Sequence, residues 1–164
     1  MQTATAGELI NILTSKRKHR LELSEAAKMK EADYVSKLHG LITRSGELLK
    51  PLEPFDIRTE VDDVSYQLDF GFGQVALKLL VLKVFDGDDE LLRLEPKVLE
   101  QTPTVPFCFA KYAPKTRSIV WKPDGHEPGF YFWTNDDEKS MPPKYLRVNE
   151  ESLMGLIKSI VEKR

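Results

Sequence analysis

The sequence predicts an α+β fold, in which a helical N-terminal arm and one C-terminal helix flank an antiparallel meander sheet of about six to seven strands. Three patterns support this fold class. Residues 7–49 have helical composition without proline, residues 55–133 alternate between apolar and polar side chains, and residues 149–164 carry one apolar stripe. The chain has 164 residues, of which 41% are hydrophobic, and this length is sufficient to bury a single core.

Residues 1–50 form the predicted arm, because Ala, Leu, Glu and Lys dominate there. Two descriptions remain open: one long helix, or two shorter helices at about 7–19 and 24–44 with Ser24 as the N-cap. A heptad frame places several basic residues in the seam, which argues against a parallel coiled coil. An apolar stripe nevertheless marks the second half of the arm, and we expect it to form a homodimer through residues 30–50. The residues of this stripe are Tyr34, Leu38, Leu41 and Leu48.

Positive charge is concentrated in the same arm. Residues 1–50 carry a net charge of +3, whereas the remainder carries −5. The basic cluster consists of Lys16, Arg17, Lys18 and Arg20, with His19 among them. Such a cluster attracts phosphates or forms an ordinary solvated helix face. Because the rest of the chain is acidic, we expect nucleic-acid binding to be the weaker alternative.

Residues 51–164 form the predicted sheet domain with its C-terminal helix. Pro51 and Pro54 end the arm, since proline removes a backbone donor and restricts the preceding residue. Turn-forming residues separate the predicted strands, so consecutive strands should pair antiparallel. Asn149 is a suitable N-cap for the last helix. The strands are expected at about 55–61, 64–72, 75–85, 90–95, 105–112, 118–122 and 129–133, and the stripe that docks the helix on the sheet is Leu153, Leu156, Ile157, Ile160 and Val161.

Metal and cofactor sites are not predicted. The three histidines are far apart and there is only one cysteine, so the spacing required for structural zinc is missing. Asp86, Asp88 and Glu90 resemble the beginning of a calcium loop, but the later ligand positions do not fit, and a hairpin turn explains them better.

Catalytic signatures are also weak. Asp69 followed by Glu95-Pro96-Lys97 is the nearest approach to a nuclease motif, and its central proline is unsuited to a sheet ladder. Cys108 stands between two phenylalanines in a predicted strand, where a small buried thiol is the usual outcome. The fragment Gly71-Phe72-Gly73-Gln74 lacks the lysine and the helix of a phosphate-binding loop.

The most distinctive segment is the aromatic hairpin at residues 121–133. Phe130 and Phe132 should share one face of their strand while Tyr131 and Trp133 share the other. One pair is therefore expected in the core, and the other is either covered by a helix or exposed as a ligand or partner surface. The candidate surface residues are Trp121, Asp124, His126, Tyr131 and Trp133.

These patterns favour a non-catalytic protein-binding or assembly module, with the arm for self-association and the sheet domain for partner recognition. One alternative is a small enzyme or ligand-binding protein with a pocket at the 121–133 hairpin, and another is nucleic-acid binding through residues 16–20. The single cysteine and the absence of a long apolar run predict a cytoplasmic or otherwise intracellular protein without membrane contact.

Overall fold

The computed structural model describes residues 2–98, 103, 105–123, 127–133 and 145–164, and it confirms the α+β fold. A helix, a seven-stranded sheet and a second helix follow one another along the chain. The elements are α1 (Ala6–Leu49), a 3-10 turn (Lys50–Phe55), β1 (Ile57–Asp69), β2 (Gln74–Asp86), β3 (Asp89–Pro96), β4 (Phe107–Tyr112), β5 (Lys115–Lys122), β6 (Gly129–Trp133), β7 (Tyr145–Arg147) and α2 (Glu150–Glu162).

Helix α1 is a single helix of 44 residues, which decides between the two descriptions of the arm. Its start is fixed by a capping box, in which Glu8 N donates to Thr5 Oγ1 (3.2 Å) and Thr5 N donates to Glu8 Oε2 (2.7 Å). Pro51 follows its last residues, and the chain tightens into the 3-10 turn there. The turn ends at Asp56, whose φ of 70° reverses the chain before β1.

The sheet is an antiparallel meander in which the strands lie in sequence order from β1 to β7. Each strand pairs with the next, as the turn signals predict. The strands expected at 55–61 and 64–72, however, are one continuous strand, β1. The β2–β3 turn needs Gly87, which has a φ of 59° that most side chains disfavour. The longest pairing joins all thirteen residues of β1 to β2.

The second half of α1 packs along β2. Residues 82–86 of β2 pair with β3, whereas residues 74–81 continue past it, and α1 lies along this part of the strand. His39 Nε2 is 3.3 Å from the backbone oxygen of Lys78 in this part. Nearer the end of α1, a Cβ atom at Gly46 would lie 3.6 Å from Cδ1 of Leu82, where the pairing with β3 begins. A helix placed in this way protects a strand edge from pairing with other chains.

Helix α2 docks on the sheet, as its apolar stripe predicts. Asn149 Oδ1 accepts from Ser152 N (2.9 Å) and caps the helix. Leu153, Leu156 and Ile157 are buried in the common core. At the other end, Arg164 forms ion pairs with the acidic side chains of the β2–β3 turn, Asp86 (3.4 Å) and Asp89 (2.7 Å).

The apolar stripe of the arm lies inside this core rather than on its surface. Tyr34, Leu38 and Leu41 are buried, with Leu38 at 0% exposure, and Leu48 is half-buried against the same cluster. An intersubunit contact made by these side chains would require the core of one chain to open. Any self-association must therefore use residues that this fold leaves exposed.

The exposure of α1 and the apolarity of both helices bear on what surrounds the chain. From residue 6 to residue 26, almost every side chain of α1 is exposed, so the helix extends about 32 Å, at 1.5 Å per residue, before Ala27 packs against the core. Within the described residues, no helix combines the length and the apolarity needed to cross a bilayer.

Candidate functional site

The two faces of strands β4 to β7 differ in what covers them. Trp121 pairs with Phe130, and Ile119 with Phe132, on the face that both helices cover. Grooves beside these residues are lined by α1 at Trp121 and by α2 at Phe132. Since side chains alternate along a strand, the intervening residues point to the opposite face, and neither helix of the described chain covers that face.

This second face carries a group of aromatic side chains that we call the aromatic face. Trp133 and Tyr145 are cross-strand partners on β6 and β7, and their rings stack with centroids 6.5 Å apart at an interplanar angle of 30°. Both remain 39% exposed. The aromatic face comprises Phe107, Phe109, Lys122, Tyr131, Trp133 and Tyr145.

A lysine lies among these rings. Lys122 Nζ is 3.6 Å from the ring centroid of Tyr145 and 5.7 Å from that of Tyr131, which is cation–π geometry. On β4, the rings of Phe107 and Phe109 meet edge to face at 5.2 Å. The aromatic face thus extends from β4 to β7 and includes one cationic group near its centre.

The surrounding polar groups fix the shape of this surface. The hydroxyl of Tyr131 donates to the backbone oxygen of Glu127 (2.8 Å), and the carboxylate of Glu127 forms an ion pair with Arg147. These contacts attach the segment that precedes β6 to strand β7. The Tyr131 side chain is thereby held in one position on the aromatic face.

The candidate surface residues from the sequence divide into three groups. Tyr131 and Trp133 lie together on the aromatic face, with Tyr131 half-buried. Trp121 lies on the opposite face, where its ring packs edge to face on Phe130 at 5.2 Å, so its grouping with Tyr131 and Trp133 is corrected. Asp124 and His126 lie outside the described residues.

Sequence reasoning missed Tyr145. It follows a long polar segment, and β7 contains only three residues, which is too short for a period-two pattern to be recognised. The available signal was that Tyr145 and Arg147, which are two residues apart, would share one face of an extended segment just before the N-cap of α2. The orientation of Phe107 and Phe109 could have been inferred from Cys108. Side chains alternate along a strand, so if Cys108 faces the core its two neighbours face the opposite side.

The basic cluster does not form a one-sided patch. Lys16 to Arg20 are consecutive residues of α1 and are all exposed. Consecutive helical side chains are separated by about 100° around the axis, so these residues encircle the arm. This arrangement disperses the charge that a flat phosphate-binding patch would concentrate.

The acidic and nucleophilic candidates have structural roles. Asp69 Oδ1 accepts from Gly71 N (2.7 Å) in the β1–β2 turn, and Glu95 forms an ion pair with Lys111. Cys108 is completely buried, and burial, aided by the nearby Glu95, raises the pKa of its thiol. Among the described residues, no group of three or more His, Cys, Asp or Glu is placed to hold a metal ion.

The free end of the arm is the second exposed apolar feature. Four aliphatic side chains near the start of α1 are each more than half exposed, and we call them the arm tip. They are Leu9, Ile10, Ile12 and Leu13.

The chain was also compared with proteins already known. Family models, curated proteins and solved structures give no match to it. The aromatic face and the arm tip are therefore the features from which function is inferred.

Proposed function

We propose that the chain is a non-catalytic protein-binding module whose aromatic face receives a partner. The observation that carries this proposal is the stacked and half-exposed pair Trp133 and Tyr145, on a sheet face that neither described helix covers. Tryptophan and tyrosine are enriched at the centres of protein interfaces, and large apolar patches are rarely left open on monomers.

The charges suggest the chemistry of the partner. Lys122 contacts the rings of Tyr131 and Tyr145 rather than a carboxylate within the described chain. A protein segment that carries apolar side chains beside an acidic one would complement this surface. Its carboxylate would pair with Lys122 while its apolar groups pack on Trp133.

Selection of peptides from a displayed random library against the full chain tests this proposal. We expect enrichment of sequences that combine acidic and large apolar residues. Replacing both Trp133 and Tyr145 by alanine should weaken the binding of the selected peptides by about tenfold or more, because aromatic residues at the centre of an interface often contribute more than about 1.4 kcal/mol each.

A matched control is Phe72→Ala, which removes an exposed aromatic ring from the β1–β2 turn. This variant should bind the selected peptides like the wild type. Failure to enrich any peptide class, or equal binding by the double variant, would contradict the proposed role of the aromatic face.

We further propose that the arm mediates self-association through its tip. In an antiparallel overlap of two arms, Leu9 of one copy packs beside Leu13 of the other, and Lys16 lies beside Ala6 at the end of the overlap. The basic cluster then remains in water instead of in the seam. Because this overlap is short, we expect a weak dimer.

A further inference from the structure

A groove opens on the helix-covered face of the sheet, between the second half of α1 and strands β5 to β7. Its volume is about 430 Å³, within the range of small-molecule sites. The groove is distinct from the aromatic face, because Trp121 and Tyr131 point to opposite sides of the sheet. The residues that define it are Lys37, Arg44, Trp121, Phe130, Arg147 and Asn149.

Three cationic side chains line this groove, and no acidic side chain of the described chain lines it. Lys37 is held by Asp33 (2.7 Å), and Arg147 forms an ion pair with Glu127. Both carboxylates are mostly exposed, so they face water beside the groove. These two ion pairs fix the positions of a lysine and an arginine before a ligand binds.

Arg44 differs from the other two cations. It is exposed on α1 and forms no ion pair or hydrogen bond with the described residues. A guanidinium group presents several donors in a plane that matches a carboxylate or a phosphate. Arg44 is therefore the group with the largest remaining capacity to bind an anion.

The base of the groove is apolar. The rings of Trp121 and Phe130 meet edge to face at 5.2 Å, and Lys37 Nζ lies 4.6 Å from the centroid of the Trp121 ring. Gly40 keeps this side of α1 open, since an added Cβ atom there would meet nothing within 4 Å. The apolar base and the cationic rim thus lie within one small site.

We propose that this groove binds a small organic anion, in which a phosphate or carboxylate group is attached to an aromatic or apolar body. Arg44 and Lys37 bind the acidic group, and the body packs on Trp121 and Phe130. The combination of an apolar wall with a few charged groups is typical of small-molecule sites. The site differs from the partner surface proposed above in its apolar residues, because Trp121 and Phe130 lie on the helix-covered face and Trp133 and Tyr145 on the other.

Fluorescence of Trp121 provides a direct readout. The chain has two tryptophans, and the variant Trp133→Phe leaves Trp121 as the only one. We expect phenyl phosphate to change the Trp121 emission saturably. Inorganic phosphate, which lacks the ring, and benzyl alcohol, which lacks the charge, should each bind more weakly, and benzoate shows whether a carboxylate can replace the phosphate.

Two arginine variants in the same background locate the binding. Arg44→Ala should weaken the binding of phenyl phosphate by about tenfold, as expected when one charge-assisted contact is lost. Arg17→Ala, which removes an equal charge from the arm, should leave binding unchanged. Absence of saturable binding by phenyl phosphate and benzoate at millimolar concentrations, or equal effects of the two variants, would overturn the proposal.

Discussion

Tyr34 marks the position at which α1 enters the core. Its ring packs edge to face on Phe70 at 5.5 Å, and the residue is buried. Burial, reinforced by the nearby Tyr66 and Cys108, raises the pKa of Tyr34 from 10.0 to about 12. The folded chain therefore resists ionisation of this phenol more strongly than the unfolded chain does.

This difference predicts a loss of stability in alkali. The stabilisation linked to Tyr34 is complete below the unfolded pKa of 10.0 and is lost as the pH rises towards the folded value of about 12. Its slope is at most about 1.4 kcal/mol per pH unit. Denaturant unfolding of Tyr34→Phe should show a smaller alkaline loss than the wild type, whereas the exposed-site variant Tyr145→Phe should follow the wild type. Identical profiles for Tyr34→Phe and the wild type would show that Tyr34 does not titrate in this way.

At the scale of elements, α2 is held by the buried part of its stripe. Leu156 is buried, whereas Ile160 in the last turn is only half-buried. We predict that Leu156→Asp lowers the free energy of unfolding by more than about 3 kcal/mol, because it places a charge in the core. Ile160→Asp should lower the free energy of unfolding by less, and Glu151→Gln, at an exposed position, should change it little.

Chemical denaturation of the three variants measures this order. The ranking follows from burial alone, since all three residues lie on the same helix. Equal midpoints for Leu156→Asp and Glu151→Gln would mean that α2 is not docked on the sheet in solution.

The arm should respond differently, because its first part is exposed and is proposed to contribute to association rather than to folding. We predict that Leu9→Glu combined with Leu13→Glu leaves the melting temperature unchanged and abolishes concentration-dependent self-association in sedimentation equilibrium. A monomeric wild type would contradict the proposed role of the arm tip. A dimer that survives the double change would place the contact elsewhere on the chain.

Most of the elements could be predicted from sequence because their signals are local. Proline marked the end of α1, period-two alternation marked the strands, and Asn149 marked the start of α2. The burial of Tyr34, Leu38 and Leu41 was not predictable in the same way. An apolar helix stripe has the same sequence pattern whether it packs on its own sheet or on another chain, and only the tertiary arrangement decides between them.

At the candidate site, too, sequence patterns predicted what depends on one segment and not what depends on tertiary structure. Alternation correctly separated Phe130 and Phe132 from Tyr131 and Trp133, because strand periodicity is a property of a single segment. It could not relate Trp121 to Tyr131, since the relation between two strands depends on their register. Val120, and not Trp121, lies opposite Tyr131, and a shift of one residue exchanges the two faces.

At the scale of the molecule, the sheet separates two surfaces with different chemistry. One face holds the core, both helices and the basic groove beside Trp121. The other presents the aromatic face, and the exposed part of α1 extends away from the body. With this separation, the proposed protein partner, the proposed small anion and a second copy of the chain would contact different residues.

The central claim is that the aromatic face is the surface that receives a protein partner. Hydrogen–deuterium exchange of the full chain, with and without a peptide selected on it, locates the contact directly. We predict that the peptide slows exchange in β6 (Gly129–Trp133) and β7 (Tyr145–Arg147) and leaves residues 6–33 of α1 unchanged. Slower exchange confined to α1, with β6 and β7 unaffected, would contradict this claim.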